Sequence, residues 1–97
     1  MKKKPIIKVY FAKYTEEWFR LSEEKREELE GKARRKFEEV GGKAIVRCPS
    51  YWSNEEWTSF GVEEYPDLEA VQKHAEFLLE LGWPRYVMSK TYLGTRP

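Results

Sequence analysis

Apolar and polar residues alternate along several short segments of the chain. Between Pro5 and Lys13, β-branched and aromatic residues predominate, with Ile7 and Val9 on one side of the segment and Tyr10 on the other. A period of two residues predicts a β-strand. A similar composition predicts three further strands, at Lys43 to Pro49, Trp57 to Glu64 and Arg85 to Leu93.

Two of the intervening segments have a helical period instead. In the first, Ser22 is a suitable N-cap and Gly41-Gly42 a suitable end. In the second, Asp67 is the predicted N-cap and Gly82 the predicted end. The first helix also has an apolar stripe that we expect to pack on the sheet, formed by Leu29, Ala33, Phe37 and Val40.

Charged residues cover the rest of the first helix. Glu28 with Lys32, and Glu30 with Arg34, are four residues apart. That spacing favours exposed ion pairs on a helix. We therefore interpret this charged run as a solvated helix face and not as a binding site.

The predicted order of elements is β-α-β-β-α-β. It is typical of the ferredoxin-like α+β fold, in which one four-stranded antiparallel sheet carries two helices on one face. The 97 residues fit a single domain, with residues 1–4 as a frayed N-terminus and residues 94–97 as a tail. Aromatic residues occur on both sides of the predicted strands, so both faces of the sheet would carry them. We therefore expect a second copy to cover the open sheet face and give a homodimer.

Charge is abundant but balanced, since 18 basic and 17 acidic side chains give a net charge of +1. Phosphate binding needs a one-sided basic field, so nucleic acid is not an expected partner. No apolar run has the length of a membrane span and no signal-peptide segment is found, so we expect a cytoplasmic protein without membrane contact. The many Glu, Lys and Arg residues are typical of thermostable proteins and of idealised designs, and both origins remain open.

The whole pattern resembles the dimeric α+β barrel superfamily. Within it, the segments YTEEWFRLSEEKREEL, FGVEEYPDLEAVQKH and LGWPRYVMSKTYLGT are most similar to the darcynin-like families of small proteins. The similarity is weaker to the stress-responsive barrel proteins and to small polyketide cyclases. The resemblance implies the fold, a dimer, and a cavity between the sheet and the helices.

The resemblance also implies a role for His74, the only histidine in the chain. Stress-responsive and cyclase members often carry a helix segment Leu-Glu-Ala-x-x-x-His-Pro-x-His, whose histidines face the cavity. The residues that match it here are Leu68, Glu69, Ala70 and His74. Ala75 and Phe77 replace the proline and the second histidine. His74 is thereby implied as the catalytic acid–base.

Helical geometry leaves two alternatives for His74. The polar residues of its helix occupy one arc, and His74 falls well inside the apolar remainder. As a functional residue it would be a general acid or base in a mostly apolar pocket. As a structural residue it would be a packed imidazole bonded to a tyrosine hydroxyl or to a backbone carbonyl.

A second group of candidates lies on the strands. The residues predicted to line a cavity for a flat aromatic or polyketide-like ligand are Tyr10, Arg47, Trp57, Tyr86 and Tyr92. The alternative is that such aromatics fill the barrel of the dimer.

Metal and cofactor chemistry have little support in the sequence. Cys48 is expected to be an inert small hydrophobe, because no second histidine could activate it. One histidine and one cysteine are too few for a closed metal site. We therefore expect neither a metal nor a cofactor, with haem ligation by His74 as the alternative that some relatives of the fold suggest.

Two functional hypotheses follow. The first is a small-molecule-binding homodimer that acts without a cofactor as an isomerase, cyclase or monooxygenase on an apolar cyclic substrate. His74 would be its acid–base, and Tyr10, Arg47 or Tyr86 would orient an oxygen. The second is a non-catalytic structural or ligand-binding dimer, or a stabilised or designed scaffold. A cavity beside His74 would favour the first hypothesis, and a solidly packed interface the second.

Overall fold

A computed structural model describes residues 4–97 of the chain. Its strands are β1 Ile6–Tyr14, β2 Lys43–Pro49, β3 Ser59–Tyr65 and β4 Val87–Gly94. They form one antiparallel sheet in the order β2-β3-β1-β4, which confirms the predicted ferredoxin-like α+β fold. Of the predicted frayed N-terminus, residues 1–3 lie outside the described residues.

The helices are α1 Glu16–Phe19, α2 Glu23–Glu39 and α3 Leu68–Leu81, followed by a 3₁₀ turn at Trp83–Arg85. Both predicted N-caps are confirmed. The Ser22 hydroxyl accepts the Lys25 N–H at 3.1 Å, and the Asp67 carboxylate accepts the Ala70 N–H at 2.8 Å. Within residues 4–97, no helix combines the length and apolarity needed to cross a membrane.

The short helix α1 was not predicted from the sequence. It buries Trp18, whose ring stacks on Tyr14 at 4.6 Å between centroids and meets Trp83 edge-on at 6.1 Å. Four residues are too few to show a helical period, so the pattern alone could not reveal this element. The aromatic contacts anchor α1 to the end of β1.

The two faces of the sheet differ in what covers them. Tyr14 donates a hydrogen bond to Glu30 of α2, and Tyr65 packs against Phe37 of the same helix. Because side chains alternate along a strand, Lys8, Tyr10 and Ala12 share the helix-covered face with Tyr14. The core on this side consists of buried Phe37, Tyr65 and Ala70, with Ile6, Val40 and Val71 packed around them.

The other side, here named the open sheet face, has no covering element among the described residues. Across its middle, Val46 pairs with Val62, Val62 with Val9, and Val9 with Tyr92. Beside this row, Phe11 contacts the ring of Phe60 at 6.3 Å. The open sheet face is therefore apolar across all four strands.

One predicted ion pair on α2 forms and the other does not. Lys32 Nζ lies 3.1 Å from a Glu28 oxygen, as the spacing predicted. Glu30 instead accepts the hydrogen bond from Tyr14, and among the described residues Arg34 makes no ion pair. Glu30 and Arg34 both remain exposed.

Candidate functional site

A cavity of about 730 Å³ lies between the sheet and the helices. Its wall includes Tyr10 from β1, Arg47 from β2, Glu63 from β3, and Phe37 and His74 from the helices. Sites for small molecules typically have volumes of about 300–1,000 Å³ and mostly apolar walls with a few polar groups. The space is therefore large enough for a ligand of several rings.

His74 lies on α3 with its ring directed toward the sheet and only 7% exposed. Its Nδ1 is 2.9 Å from the Tyr65 hydroxyl, and its Nε2 is 3.3 Å from the carbonyl oxygen of Ala33 on α2. The imidazole is therefore bonded both to a tyrosine hydroxyl and to a backbone carbonyl. It bridges α2, α3 and the sheet.

The Tyr65 hydroxyl connects His74 to a buried carboxylate. It lies 3.2 Å from Oε1 of Glu63, which is two residues earlier on β3 and therefore on the same sheet face. Glu63, Tyr65 and His74 form one hydrogen-bonded chain that ends at the Ala33 carbonyl. We name it the Glu63–Tyr65–His74 chain.

This chain has three contacts but, with a neutral imidazole and an ionised carboxylate, only two protons. The Ala33 carbonyl can only accept, so Nε2 must donate to it and Nδ1 must then accept from Tyr65. Tyr65 has a single hydroxyl proton, so it cannot donate to Glu63 at the same time. One more proton, on the imidazole or on the carboxylate, would complete all three hydrogen bonds.

Burial opposes a charge on the imidazole. It lowers the pKa of His74 to about 4, with Lys8 and Lys36 acting in the same direction and the Ala33 carbonyl opposing them. Burial, and then the nearby Glu63, raise the pKa of Tyr65. At neutral pH His74 is accordingly neutral and Tyr65 retains its proton.

Two basic residues flank Glu63. Lys8 Nζ lies 3.8 Å from one carboxylate oxygen, and an Arg47 nitrogen lies 3.7 Å from the other. Burial lowers the pKa of Lys8, and Glu63 counteracts that shift. A buried carboxylate needs such partners, because an unpaired buried charge is strongly unfavourable.

A glycine on β3 makes room for Tyr10. Gly61 stands directly opposite Tyr10, and a Cβ atom there would lie 2.5 Å from the tyrosine oxygen. Because glycine has no side chain, the Tyr10 ring can lie over the strand toward Arg47 and Glu63. Burial, and then Glu63, raise the pKa of Tyr10, while Arg47 opposes them.

The cavity wall contains three of the six residues predicted for the site, namely His74, Tyr10 and Arg47. Tyr86 instead packs near Trp18, with its ring centroid 6.3 Å away. Trp57 lies beside Phe11 at 6.5 Å, and Tyr92 lies on the open sheet face. These three aromatics are thus separate from the cavity wall, and their predicted role in binding ligand stays a prediction.

The haem alternative does not fit this geometry. Both nitrogens of His74 are held by protein groups, so neither presents a free lone pair to iron without breaking a buried hydrogen bond. Among residues 4–97 no group of three or more His, Cys, Asp or Glu side chains is arranged to hold a metal ion.

Tyr65 and Glu63 were not identified as site residues from the sequence. A signal for them existed in the stretch FGVEEY, where a glycine in mid-strand is followed at intervals of two by a glutamate and a tyrosine. A mid-strand glycine often marks a close approach by another group. The alternation places all three on the face that meets α3.

Comparison of the sequence with protein-family models and with curated proteins gives no match. Solved structures give clear matches to the fold. A candidate chlorite dismutase superimposes with a TM-score of 0.73 at 18% identity, over 98% of this chain and 46% of that protein. This chain thus spans less than half the length of that protein.

Two further structures match along most of their own length. SnoaB, a cofactor-independent oxygenase from Streptomyces nogalater, has a TM-score of 0.59 at 10% identity, with 97% of this chain and 94% of SnoaB covered. The 30S ribosomal protein S6 from Thermotoga maritima has a TM-score of 0.55 at 18% identity, with 95% and 89% covered. These likenesses confirm the ferredoxin-like α+β fold.

Proposed function

We propose that this protein is a small-molecule-binding homodimer that catalyses, without a cofactor, a proton-transfer reaction on a cyclic substrate. The reaction would be an isomerisation, a cyclisation or a mono-oxygenation. The observation that carries the proposal is the cavity of about 730 Å³ whose wall includes Glu63 and His74, which the buried Tyr65 hydroxyl connects. The cofactor-independent oxygenase SnoaB, which shares the fold, supports the same class of chemistry.

The chain of hydrogen bonds would act as the proton acceptor. An acidic C–H or O–H of the substrate would give its proton to Glu63, and its electron pair would stay on the ring as an enolate. Because the chain is one proton short, that proton would complete the contacts from Glu63 through Tyr65 to His74. His74 would thus act through Tyr65, while Tyr10 and Arg47 would orient the substrate oxygen.

The enolate has a defined fate in each class of reaction. In an isomerisation the proton returns to another carbon, and in a cyclisation the carbanion attacks a carbonyl of the same molecule. In a mono-oxygenation, dioxygen is the co-substrate, and a ring methylene with O₂ gives a carbonyl and water. All three begin with the same proton abstraction, so one assay of that step tests them together.

The homodimer is supported by the open sheet face. Its apolar row crosses all four strands, from Val46 to Tyr92. Contiguous apolar patches of this kind usually mark an interface. A two-fold axis through the face would pack each sheet against its copy and leave both cavities on the outer, helix-covered sides.

A non-catalytic ligand-binding dimer is the second candidate. It is favoured by one observation, that both nitrogens of His74 are already bonded within the protein. In that case His74 and Tyr65 would hold α2, α3 and the sheet together, and the cavity would only bind. The two candidates differ in turnover and not in affinity.

Tyr65→Phe separates them, because it removes the hydroxyl that joins Glu63 to His74 and keeps the ring. We expect wild-type protein to accelerate deuterium exchange at the ring methylene of 2-tetralone, measured by proton NMR. We expect Tyr65→Phe to lose on the order of 10²–10⁴-fold of that acceleration, the usual contribution of acid–base catalysis. Tyr92→Phe, which removes a hydroxyl from the open sheet face, should exchange like wild type.

Equal exchange by wild type and Tyr65→Phe would exclude the chain as the proton acceptor. Binding of 2-tetralone without any acceleration by wild type would favour the non-catalytic candidate. Calorimetry on the same samples measures the binding.

A further inference from the structure

We infer that the cavity binds a planar aromatic anion, such as an aromatic carboxylate, more tightly than a neutral ring of the same shape. This inference rests on the proposed binding function and specifies its substrate class. It begins with the charges of the cavity wall, which has three basic side chains and two acidic ones. They are Lys13, Arg34 and Arg47, and Glu30 and Glu63.

Both acidic side chains of the wall are already engaged. Glu30 accepts the Tyr14 hydroxyl at 3.3 Å. Glu63 lies 3.2 Å from the Tyr65 hydroxyl and between Lys8 and Arg47. Glu63 is therefore surrounded by protein partners and Glu30 already accepts one hydrogen bond, so the basic side chains dominate the charge offered to a ligand.

Two of the basic side chains keep donors available. Arg34 is exposed and makes no ion pair among the described residues. The Arg47 side chain is 53% exposed, and its 3.7 Å distance to Glu63 is longer than a hydrogen bond. A guanidinium offers five N–H donors in a planar arrangement that suits a carboxylate, so these two residues form the anion-recognising part of the site.

Exposed aromatic rings line the same cavity. Phe19, at the end of α1, is 63% exposed, and Tyr51, in the loop after β2, is 71% exposed. That loop is ordered by its own hydrogen bonds: the Ser50 hydroxyl donates to the Trp57 carbonyl at 2.8 Å, and the Asn54 side chain accepts from two backbone N–H groups. The loop that carries Tyr51 is therefore ordered, and Tyr51 and Phe19 provide apolar surfaces suited to a flat ring.

The test compares 2-naphthoate with 2-naphthamide, which have the same rings and differ in charge. Calorimetry on the wild-type protein should give a dissociation constant about tenfold lower for 2-naphthoate, the gain expected of a charge-assisted hydrogen bond. Arg47→Gln and Arg34→Gln should each weaken 2-naphthoate several-fold and weaken 2-naphthamide clearly less. Added salt should reduce the preference, since the site is partly exposed.

Arg35→Gln is the matched control, because Arg35 is exposed on α2, next to Arg34, and lies outside the cavity wall. An equal loss of 2-naphthoate affinity in Arg35→Gln would assign the effect to net charge and overturn the inference. Equal affinity of the two compounds for wild type would also overturn it and leave the proposed binding function standing. Failure of both compounds to bind would contradict the inference and the proposed function together.

Discussion

Phe37→Ala is expected to lower the free energy of unfolding by about 3–5 kcal/mol, the usual cost of removing a buried aromatic ring. The ring is only 5% exposed and lies at the centre of the core on the helix-covered face. Its centroid is 5.4 Å from that of Tyr65 and 5.5 Å from that of His74. The substitution therefore leaves a void between α2, α3 and the sheet, and urea denaturation measures its cost.

Lys32→Ala on the same helix is the matched control. Lys32 makes an exposed ion pair with Glu28, and such pairs contribute about 0–1 kcal/mol. A similar loss of stability in both variants would mean that the burial of α2 is assigned to the wrong side. A much larger loss of stability in Phe37→Ala than in Lys32→Ala would support the packing of Phe37 between the helices and the sheet.

Val9→Glu is expected to convert the proposed dimer into a folded monomer. Val9 is at the middle of the open sheet face, between Val62 and Tyr92. A two-fold interface would bury one new carboxylate from each copy without a partner. Each uncompensated buried charge costs about 3–5 kcal/mol. The dissociation constant should therefore rise at least on the order of 100-fold. Sedimentation at micromolar concentration measures the change.

Gln72→Glu adds the same charge at an exposed position of α3 and should leave the association unchanged. A wild-type chain that sediments as a monomer of 11.7 kDa would contradict the homodimer outright. A Val9→Glu variant that remains dimeric would move the interface to another surface. Circular dichroism of each variant confirms that the fold is intact.

Much of the fold could be predicted because local signals agree with the tertiary structure. The period-two segments became strands, and Ser22, Asp67 and Gly82 delimit their helices as expected. Strand ends differed by one or two residues, chiefly because Trp57 and Thr58 belong to a loop ordered by Asn54. Such side-chain hydrogen bonds leave little trace in hydrophobic periodicity.

The candidate site was predicted in part. The burial of His74 followed from its place on the apolar side of α3, and its two predicted kinds of partner are both present. The identity of the tyrosine could not be predicted, because it depends on which strand lies under α3. The sheet order places β3 there, and so brings Tyr65 and Glu63 to the imidazole.

The ion pairs of α2 show a second limit of prediction from the sequence. The spacing of Glu30 and Arg34 predicted a local ion pair, yet Tyr14 from β1 binds the glutamate instead. Local spacing cannot anticipate a competitor from a distant strand. Arg34 therefore lies in the cavity wall without this ion pair, and its charge would favour an anionic ligand.

The most direct test of the cavity and its proton chain is the ¹⁵N NMR spectrum of the single imidazole, recorded from about pH 8 to about pH 5 with and without naphthalene ligand. Without ligand, His74 should stay neutral across this range, because burial lowers its pKa to about 4. With 2-naphthoate or 2-naphthamide bound, its nitrogen signals should move, since His74 lines the cavity and shares the Tyr65 proton. Spectra that are the same with and without both ligands, at every pH, would contradict a ligand-binding cavity beside His74.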